Sequence, residues 1–399
     1  MSPFFIKENA MYDFDKVIDR RGTNTFKFDL REKVFKKPDV IPLWVADMDF
    51  AAPPAVVKAV KKRAEHPVYG YTLRPESFNI SIQNWLKVRH GWDVDASWIS
   101  FTPGVVPALA LSLLAFSDPG DGIIIQPPVY PPFHSIVTDN DRKLVYNPLV
   151  ISDGKYKINF EELEILASKP ENRILVLSSP HNPVGRLWSK EELTRLGEIC
   201  IRHNVLVLSD EIHSDLAVYG NRHIPFASIS KEFANGSITF MAPSKTFNIA
   251  GFGTSYVVCE NEKLRKKFKH LLNGLHLNMG TLFSGVILEA AYDHGAEWLD
   301  EMLKYIEGNI DYVHDFIKAE LPGITFTKPE ATYLLWLDFR ELGWDQEKLN
   351  SFLINEANVG FNDGILFGKE EGKGFMRMNV GSSRVVIEKA MINIKKAFS

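Results

Sequence analysis

Cysteine is scarce in this sequence of 399 residues, which contains only Cys200 and Cys259. Cys200 falls in a helical pattern and Cys259 in the strand-like run TSYVVCE, so the pair lacks the spacing of a disulfide framework or of a metal site. We therefore expect no bound metal ion, and a reducing compartment, the cytoplasm, fits this cysteine usage best.

Long apolar runs and long basic runs are also missing. Eighteen consecutive apolar residues occur nowhere, and the N-terminal stretch MSPFFIKENAMYDFDKVIDRR has no basic start followed by an apolar segment, so neither membrane spanning nor export is expected. The formal net charge is −4, and no basic run is longer than Lys61-Lys62-Arg63, which gives no electrostatic footprint for nucleic acid. Small molecules are the expected partners.

The sequence does contain a regular alternation of strand and helix patterns. Between about residues 98 and 260, short apolar runs rich in β-branched residues alternate with loops and helical segments, which predicts parallel strands joined by crossover helices. Most of the runs are apolar throughout, as expected for strands covered on both faces. The predicted strands are 98–101, 122–126, 173–178, 204–210, 237–242 and 254–258.

The clearest helix in this region is SKEELTRLGEICIRH. Ser189 and Glu192 form a capping box at its start. Leu193, Leu196 and Cys200 line one face, as expected for an amphipathic helix that packs on a sheet.

The pattern changes after residue 280 to long amphipathic helices, followed by the strand-like TYLLWLDF and a final helix around 385–397. We therefore predict an α/β protein of two domains. The large domain, 46–288, has a mainly parallel sheet covered by helices. A smaller α+β domain combines 1–45 with 289–399.

Two candidate residues with strong chemistry follow neighbouring predicted strands, at the sheet edge where ligands bind in α/β folds. Lys245 follows 237–242, and an amine desolvated there becomes nucleophilic because its pKa falls; the alternative is a solvated surface lysine. Asp210 ends 204–210, where a partly buried carboxylate needs a cationic partner such as a protonated pyridine nitrogen. The alternative for Asp210 is the N-cap of the next helix.

Three other loops also offer suitable groups. The rigid loop SPHNPVG presents the Asn182 amide as a donor. After the first predicted strand, Gly104, Val105 and Val106 open a helix whose free N–H groups suit a phosphate. Tyr130, in PPVYPPF, is placed either to stack on a flat heteroaromatic ring or to pack in the core. Each of these signals, taken alone, is also typical of ordinary turns and helix starts.

Together these residues resemble the fold type I pyridoxal-phosphate enzymes, the aspartate aminotransferase superfamily, over most of the chain. The resemblance implies pyridoxal 5'-phosphate held as a Schiff base on Lys245, with Asp210 paired to the pyridinium nitrogen. It also implies that Asn182 bonds the ring hydroxyl and that Tyr130 stacks on the ring. Arg377, in FMRMN, stands where the family places the arginine that grips the substrate carboxylate in a bidentate fork.

The resemblance also implies a homodimer with shared active sites. Tyr71, in VYGYT, stands where the family uses a tyrosine that reaches across the dimer interface toward the neighbouring active site. We therefore count Tyr71 among the expected catalytic residues, together with Lys245 and Asp210.

Two positions depart from the superfamily pattern around the phosphate. The superfamily usually has an arginine eight residues after the lysine and a serine three residues before it, where this sequence has Gly253 and Ala242. The phosphate is therefore expected to depend on the backbone donors that follow the first predicted strand and on Ser244, with weaker charge compensation than an arginine gives.

Longer stretches are similar to the MalY/PatB branch of the superfamily, whose members are cystathionine β-lyases or cysteine C–S lyases. These stretches are IDRRGTNTFKFD, IPLWVADMDFAAPPAV, YGYT, LSDEIHSDL and APSKTFNIAG. In this branch His213 stands three residues after Asp210, where many relatives have a tyrosine bonded to the ring oxygen. We expect His213 to act on that oxygen or to face the substrate, and the alternative is a histidine on a helix surface.

The branch resemblance implies β-elimination at a carbon–sulfur bond of an amino-acid substrate, with Lys245 as the base that removes the Cα proton. L-cystathionine would give homocysteine, pyruvate and ammonia, and L-cysteine would give sulfide. An aminotransferase is one alternative, because the same lysine can return the proton to the cofactor carbon, and the residues themselves do not decide between the two. A regulatory protein that binds a transcription factor is another, although no basic helix-turn-helix pattern supports it.

Overall fold

A seven-stranded sheet lies at the centre of the protein, seen in a computed structural model that describes residues 12–398. The strands, numbered along the chain, are β1 (Ile41–Pro42), β2 (Ile99–Thr102), β3 (Gly122–Ile125), β4 (Lys143–Tyr146), β5 (Val150–Ser152), β6 (Lys155–Lys157), β7 (Asn172–Ser178), β8 (Leu206–Asp210), β9 (Ser237–Met241), β10 (Ser255–Val258), β11 (Leu334–Asp338), β12 (Val359–Gly360), β13 (Asn362–Asp363) and β14 (Phe375–Asn379).

The helices lie around this sheet and in the C-terminal third of the chain. They are α1 (Phe26–Asp29), α2 (Arg31–Phe35), α3 (Pro54–Glu65), α4 (Glu76–His90), α5 (Val105–Phe116), α6 (Pro132–Thr138), α7 (Phe160–Ala167), α8 (Lys190–Arg202), α9 (Lys231–Asn235), α10 (Pro243–Thr246), α11 (Glu262–Gly274), α12 (Ser284–His294), α13 (Ala296–Glu320), α14 (Gln346–Ser351) and α15 (Arg384–Phe398).

The central sheet is mainly parallel, in the order β2-β10-β9-β8-β7-β3-β4. Strands β4, β3, β7, β8 and β9 pair in parallel, whereas β10 is antiparallel to both of its neighbours, β9 and β2. The expectation of a parallel strand at 254–258 is therefore wrong. Between β9 and β10 the chain forms only the four-residue α10 and short turns, which is too little for the crossover helix that a parallel return requires.

One strand of this sheet was not predicted from the sequence. Strand β4 lies at the sheet edge and is only partly buried, so its residues KLVY mix charged and apolar side chains. This mixture does not give the continuous apolar signal of the inner strands.

Both faces of the sheet are covered, as the apolar runs predicted. In β3, Ile123 and Ile125 face one buried cluster, which includes residues of α5, α6 and α11, whereas Ile124 faces another that includes residues of α7 and α8. This alternation follows from the two-residue period of a strand. The predicted capping box of Ser189 and Glu192 is present at the start of α8.

The C-terminal third forms a second, smaller sheet in the order β11-β14-β13, with the long helices α13 and α15. The predicted strand in TYLLWLDF and the predicted final helix are confirmed as β11 and α15. Strand β1 pairs in parallel with β12, which brings the segment after β1 to the carboxyl end of β14.

The proposed domain division, with 46–288 as the large domain, remains a prediction. Residues 1–11 and 399 of the predicted smaller domain, including the start of the stretch considered for export, lie outside the described residues. Within 12–398, no helix combines the length and apolar character needed to cross a membrane.

Candidate active site

A cavity of about 200 Å³ opens at the carboxyl ends of β7, β8 and β9. All of the residues predicted to contact a cofactor line it, although they come from five separate loops. The lining residues are Ala46, Gly104, Val105, Val106, Pro107, Tyr130, Ser178, Asn182, Asp210, Ile212, His213, Ser244, Lys245 and Ala250. A larger surface cleft of about 450 Å³ beside the start of α4 contains no carboxylate, so it offers no acid–base pair.

Lys245 lies on α10, directly after β9, and its side chain is partly buried. Its Nζ donates a hydrogen bond of 2.6 Å to the backbone oxygen of Ala46. Burial lowers the pKa of the amine from 10.5 to about 8; the positive charge of Arg377 acts in the same direction, and the carboxylates of Asp47 and Asp210 oppose it. A fraction of the amine is therefore neutral near pH 7 and able to act as a nucleophile or a base.

Asp210 ends β8 and is 6% exposed. Burial raises the pKa of its carboxyl group to about 7, even though Oδ1 accepts a hydrogen bond of 3.1 Å from the Ile212 amide. A buried carboxylate with a raised pKa is one that an added cation would stabilise. The site therefore suits a ligand with a cationic ring nitrogen at this position.

Arg377 lies on β14 and reaches the rim of the cavity through Asn182. Its Nη1 donates to Asn182 Oδ1 at 3.1 Å, and its Nη2 donates to the Trp44 carbonyl at 2.9 Å and to Asn362 Oδ1 at 2.6 Å. Because the Asn182 oxygen is occupied in this way, its amide nitrogen remains available as a donor. Burial lowers the pKa of Arg377 to about 10, and its Nε is buried without a hydrogen-bond partner.

His213 is buried in the cavity wall, 5% exposed, and is not a histidine on a helix surface. Burial and the positive charges of Lys245 and Arg377 lower the pKa of its imidazole to about 3, so the ring is neutral. Its Nδ1 is buried without a hydrogen-bond partner. An unpartnered polar atom at this depth carries a free-energy cost that a polar ligand would remove.

The start of α5 also lines the cavity. Gly104 is the N-cap and Val105 the first residue, and no side chain caps this helix end. Ser244 also lines the cavity. Free N–H groups at the start of a twelve-residue helix form a site for an anion such as a phosphate.

Tyr130 lines the same cavity, where burial raises the pKa of its hydroxyl above 10 and the negative charge of Asp210 adds to this effect. Tyr71, by contrast, is not brought to the site by the fold of a single chain. It lies in the loop between α3 and α4 and is 99% exposed.

Two residues close to Lys245, Ala46 and Asp215, were not predicted from the sequence. Ala46 contributes a backbone oxygen, and no side-chain chemistry could reveal it. Asp215 is a buried carboxylate behind Lys245 that accepts hydrogen bonds from Thr246 Oγ1 at 2.8 Å and Trp85 Nε1 at 3.0 Å and pairs with His90 at 2.8 Å. Asp215 lies within LSDEIHSDL, one of the stretches that resemble the MalY/PatB branch, and its acidic side chain there was the one feature of the sequence that could have indicated it.

Comparison with known proteins agrees with this geometry. The family model for aminotransferase class I and II matches residues 38–394. Cystathionine β-lyase PatB of Bacillus subtilis is 43% identical over 387 residues, covering 97% of this chain and 100% of the relative. Protein MalY of Escherichia coli is 33% identical, covering 97% of this chain and 99% of the relative.

Solved structures of similar proteins extend the agreement to three dimensions. Cystalysin from Treponema denticola, which contains a pyridoxal 5'-phosphate cofactor, is 38% identical with a TM-score of 0.94, covering 98% of this chain and 99% of that one. The pyridoxal-phosphate-bound C–S lyase from Staphylococcus hominis is 34% identical with a TM-score of 0.90, covering 97% and 98%.

This chain belongs to the aminotransferase class I and II family. Within that family it is an enzyme of the MalY/PatB type, and its cofactor is pyridoxal 5'-phosphate. The described residues fit this cofactor, because one cavity combines an amine of lowered pKa, a buried carboxylate suited to a cation, an unpartnered histidine nitrogen and an uncapped helix start.

Proposed function

We propose that this protein is a C–S lyase that breaks the Cβ–S bond of L-cystathionine, or of related cysteine S-conjugates and L-cysteine, by β-elimination. L-cystathionine and water give homocysteine, pyruvate and ammonia, and L-cysteine and water give sulfide, pyruvate and ammonia. The observation that carries the proposal is the amine of Lys245, with a pKa of about 8, in one cavity with Asp210. The likeness to PatB and to the Staphylococcus hominis lyase supports elimination over transamination.

Pyridoxal phosphate, when bound, supplies an electron sink for the negative charge left at the substrate Cα. Lys245 is the residue to which its aldehyde would be joined, and the Asp210 carboxylate would hold the ring nitrogen in its cationic form. Asn182 would donate its amide N–H to the ring oxygen, with neutral His213 beside it. The face of Tyr130 would cover the ring.

The phosphate would be held mainly by backbone groups. Gly104, Val105 and Val106 at the start of α5, together with Ser244, line the cavity, and their N–H groups and the Ser244 hydroxyl are the proposed donors. Gly253, where the wider superfamily has an arginine, has a positive φ of 58° and supplies no charge. We therefore expect the phosphate to be bound with less charge compensation than in relatives that carry the arginine.

Lys245 would then move the proton. Its neutral Nζ would accept the proton from the substrate Cα, and the Cβ–S bond would break with its electron pair leaving on sulfur. Arg377 would bind the substrate carboxylate. Its Nε has no hydrogen-bond partner, and its Nη1 donates to Asn182, which lines the cavity, so the guanidinium lies next to the site.

We further propose that the enzyme is a homodimer with shared active sites. The loop between α3 and α4 exposes four large side chains, which is unusual for a free surface. Their exposed fractions are 63% for Val68, 62% for Tyr69, 99% for Tyr71 and 83% for Leu73. A partner subunit would cover this loop and receive Tyr71 in its own site.

Mixing two inactive variants tests this arrangement. If sites are shared, a mixed dimer of Lys245→Ala and Tyr71→Ala subunits has one site with both changes and one with neither. Activity should therefore appear after subunit exchange between the two variants. Activity that stays at the level of the separate variants, with exchange verified by mass spectrometry, would contradict shared sites.

We also infer a cytoplasmic location. Cys200 and Cys259 are both buried and free of disulfides. Burial raises the pKa of each thiol to about 12, so both are unreactive as thiolates. Measurement of the protein in separated cell fractions tests this inference.

The reaction itself is tested with purified protein, added pyridoxal phosphate and L-cystathionine, with and without a 2-oxo acid. We expect pyruvate and a free thiol without the oxo acid. Turnover that strictly requires the oxo acid would instead identify an aminotransferase.

A further inference from the structure

The backbone oxygen of Ala46 accepts hydrogen bonds from two side chains at the active site. Lys245 Nζ donates to it at 2.6 Å, and the hydroxyl of Tyr333 donates at 3.0 Å. A carbonyl oxygen has two lone pairs, so both donors can be accommodated together. Tyr333, which lies just before β11, therefore touches the same atom as the reactive amine without lining the cavity.

The backbone that leads into Tyr333 is strained. Thr332 is a buried, β-branched residue with a φ of 78°, a conformation that such residues rarely adopt. It is held there by a bond of 2.8 Å from its own amide to the Leu216 carbonyl and by its Oγ1, which accepts from the Leu334 amide at 3.2 Å. Backbone strain of this kind persists only where several surrounding contacts hold the residue in place, and it occurs most often at functional sites.

The hydroxyl of Tyr333 is a permanent donor. The side chain is 1% exposed, and burial, with Asp47 adding to the effect, raises the pKa of the phenol far above its ordinary value. The phenol therefore stays protonated at any pH at which the protein works. It cannot act as a base, but it holds the Ala46 oxygen in one place.

Side chains also fix the rest of the segment around Ala46. From residue 44 to residue 48 every backbone carbonyl accepts a side-chain hydrogen bond. The donors are Arg377 to Trp44, Asn379 to Val45, Lys245 and Tyr333 to Ala46, Asn379 and Lys27 to Asp47, and Asn248 and Arg20 to Met48. We call residues 44–48 the carbonyl segment. Of the other donors to this segment, Tyr333 is the one that shares its acceptor, the Ala46 oxygen, with the amine of Lys245.

We propose that Tyr333 is a positioning residue for Lys245: its hydroxyl fixes the Ala46 oxygen, on which the amine of Lys245 rests whenever it is not joined to the cofactor. This inference rests on the proposed function, because the amine is free while it takes the Cα proton. A fixed resting place keeps Nζ near the reacting carbon and reduces the number of orientations it must search.

The test compares Tyr333→Phe with Tyr256→Phe. Tyr256 is an equally buried tyrosine whose hydroxyl lies 3.1 Å from that of Tyr292, and it does not line the cavity. Each variant loses one buried hydroxyl and keeps the ring. For Tyr333→Phe we expect kcat to fall about tenfold while KM changes less than about twofold, since the loss of one positioned contact acts on the reacting state. Tyr256→Phe should keep both constants.

A second measurement does not depend on which reaction the enzyme catalyses. Cofactor-free protein is mixed with pyridoxal phosphate, and the rate at which Lys245 condenses with its aldehyde, with release of water, is followed by absorbance. We expect about a tenfold slower rate for Tyr333→Phe and an unchanged rate for Tyr256→Phe. If the native enzyme shows no lyase activity but condensation is slower in Tyr333→Phe, the proposed function is refuted and the role of Tyr333 is not.

Two results would overturn the inference: an unchanged kcat and condensation rate in Tyr333→Phe, or equal losses in both variants. If Tyr333→Phe does not fold, judged by thermal unfolding of the cofactor-free protein, 3-fluorotyrosine placed at position 333 keeps the hydroxyl and nearly the same shape but makes a stronger donor. The condensation rate with 3-fluorotyrosine at position 333 should then differ from the rate with 3-fluorotyrosine at position 256. Equal rates would also reject the positioning role of Tyr333.

Discussion

The two sides of the cavity are built in different ways. On the sheet side, Asp210 ends β8 and Lys245 follows the neighbouring strand β9, and the backbone ladder between these strands sets their separation. On the other side the carbonyl segment belongs to no strand and is held by side chains distant in sequence, such as Asn379 and Tyr333. The sheet side thus depends on many shared backbone bonds, and the other side depends on a few individual side chains.

The largest effect is expected on the sheet side, at Lys245. Lys245→Ala removes the amine that we propose joins the cofactor and takes the proton, so turnover should fall by at least about a thousandfold. Borohydride reduction followed by mass spectrometry should find the cofactor on residue 245 of the native protein and on no residue of the variant.

Lys231→Ala is the matched control, because Lys231 is an exposed lysine at the start of α9. It should keep both turnover and labelling at residue 245. Undiminished turnover in Lys245→Ala would disprove the assignment of the catalytic lysine.

The next largest effect is expected at Arg377, which joins the two sides of the cavity. Arg377→Lys replaces a planar fork that now contacts Asn182, Trp44 and Asn362 with a single ammonium group. We expect kcat/KM for L-cystathionine to fall about a hundredfold, chiefly through KM, because lysine cannot form the proposed bidentate contact with the substrate carboxylate.

Arg340→Lys provides the comparison, since Arg340 forms a bidentate pair with Asp338 on the protein surface, with Nε donating to Oδ1 and Nη2 to Oδ2. Steady-state kinetics with both variants at equal cofactor content make the measurement. A loss confined to kcat in Arg377→Lys would argue against a role in binding the carboxylate.

The pH dependence of turnover should depend on the interaction between Lys245, on the sheet side, and Asp47, in the carbonyl segment. Lys245 must be neutral to accept a proton, and its pKa is about 8. The rate should therefore rise with pH, reach half of its maximum near pH 8 and level off about one unit higher. Asp47, in the carbonyl segment, raises this pKa by stabilising the charged amine, so Asp47→Asn should move the midpoint of the profile to lower pH by about half a unit.

The control for this shift is Asp95→Asn, which removes a carboxylate that caps a surface turn. Its profile should match that of the native enzyme. A midpoint that moves to higher pH in Asp47→Asn would show that the sign of this interaction is wrong.

The smallest effect is expected at Ser189, within the framework of the sheet side. Ser189→Ala removes half of the capping box of α8 and should lower the free energy of unfolding by about 1 kcal/mol, with turnover unchanged. Urea denaturation of the cofactor-free protein measures the change. Ser168→Ala, at an exposed serine after α7, should have less than half of this effect. If both variants lower the free energy of unfolding equally, the capping box contributes no more than an ordinary surface serine.

The difference between the two sides also explains what could be predicted from the sequence. That Asp210, Asn182 and Lys245 lie together could be predicted, because each ends or follows an apolar run and the carboxyl ends of adjacent strands meet at one edge. Ala46 and Tyr333 could not be found in this way. They meet only after residues 287 positions apart have been brought together, and one of them acts through its backbone.

The antiparallel direction of β10 and the exposed position of Tyr71 show two further limits. The apolar run TSYVV is equally compatible with either direction, because direction depends on the length of the connection that precedes it. Tyr71 was expected at the active site from resemblance, but a single chain leaves it 99% exposed. Local patterns do not describe contacts that a second subunit would supply.

The pairing of β1 with β12 has a consequence for the order in which the protein matures during synthesis. All strands of the central sheet lie between residues 99 and 258, so the ribosome releases them well before residue 360. Strand β1, which precedes the carbonyl segment, can pair only after β12 has emerged, and Asn379, which donates to that segment, lies on the still later β14. A nascent chain can therefore assemble Lys245 and Asp210 early, yet stays without a finished site until β14 has been made.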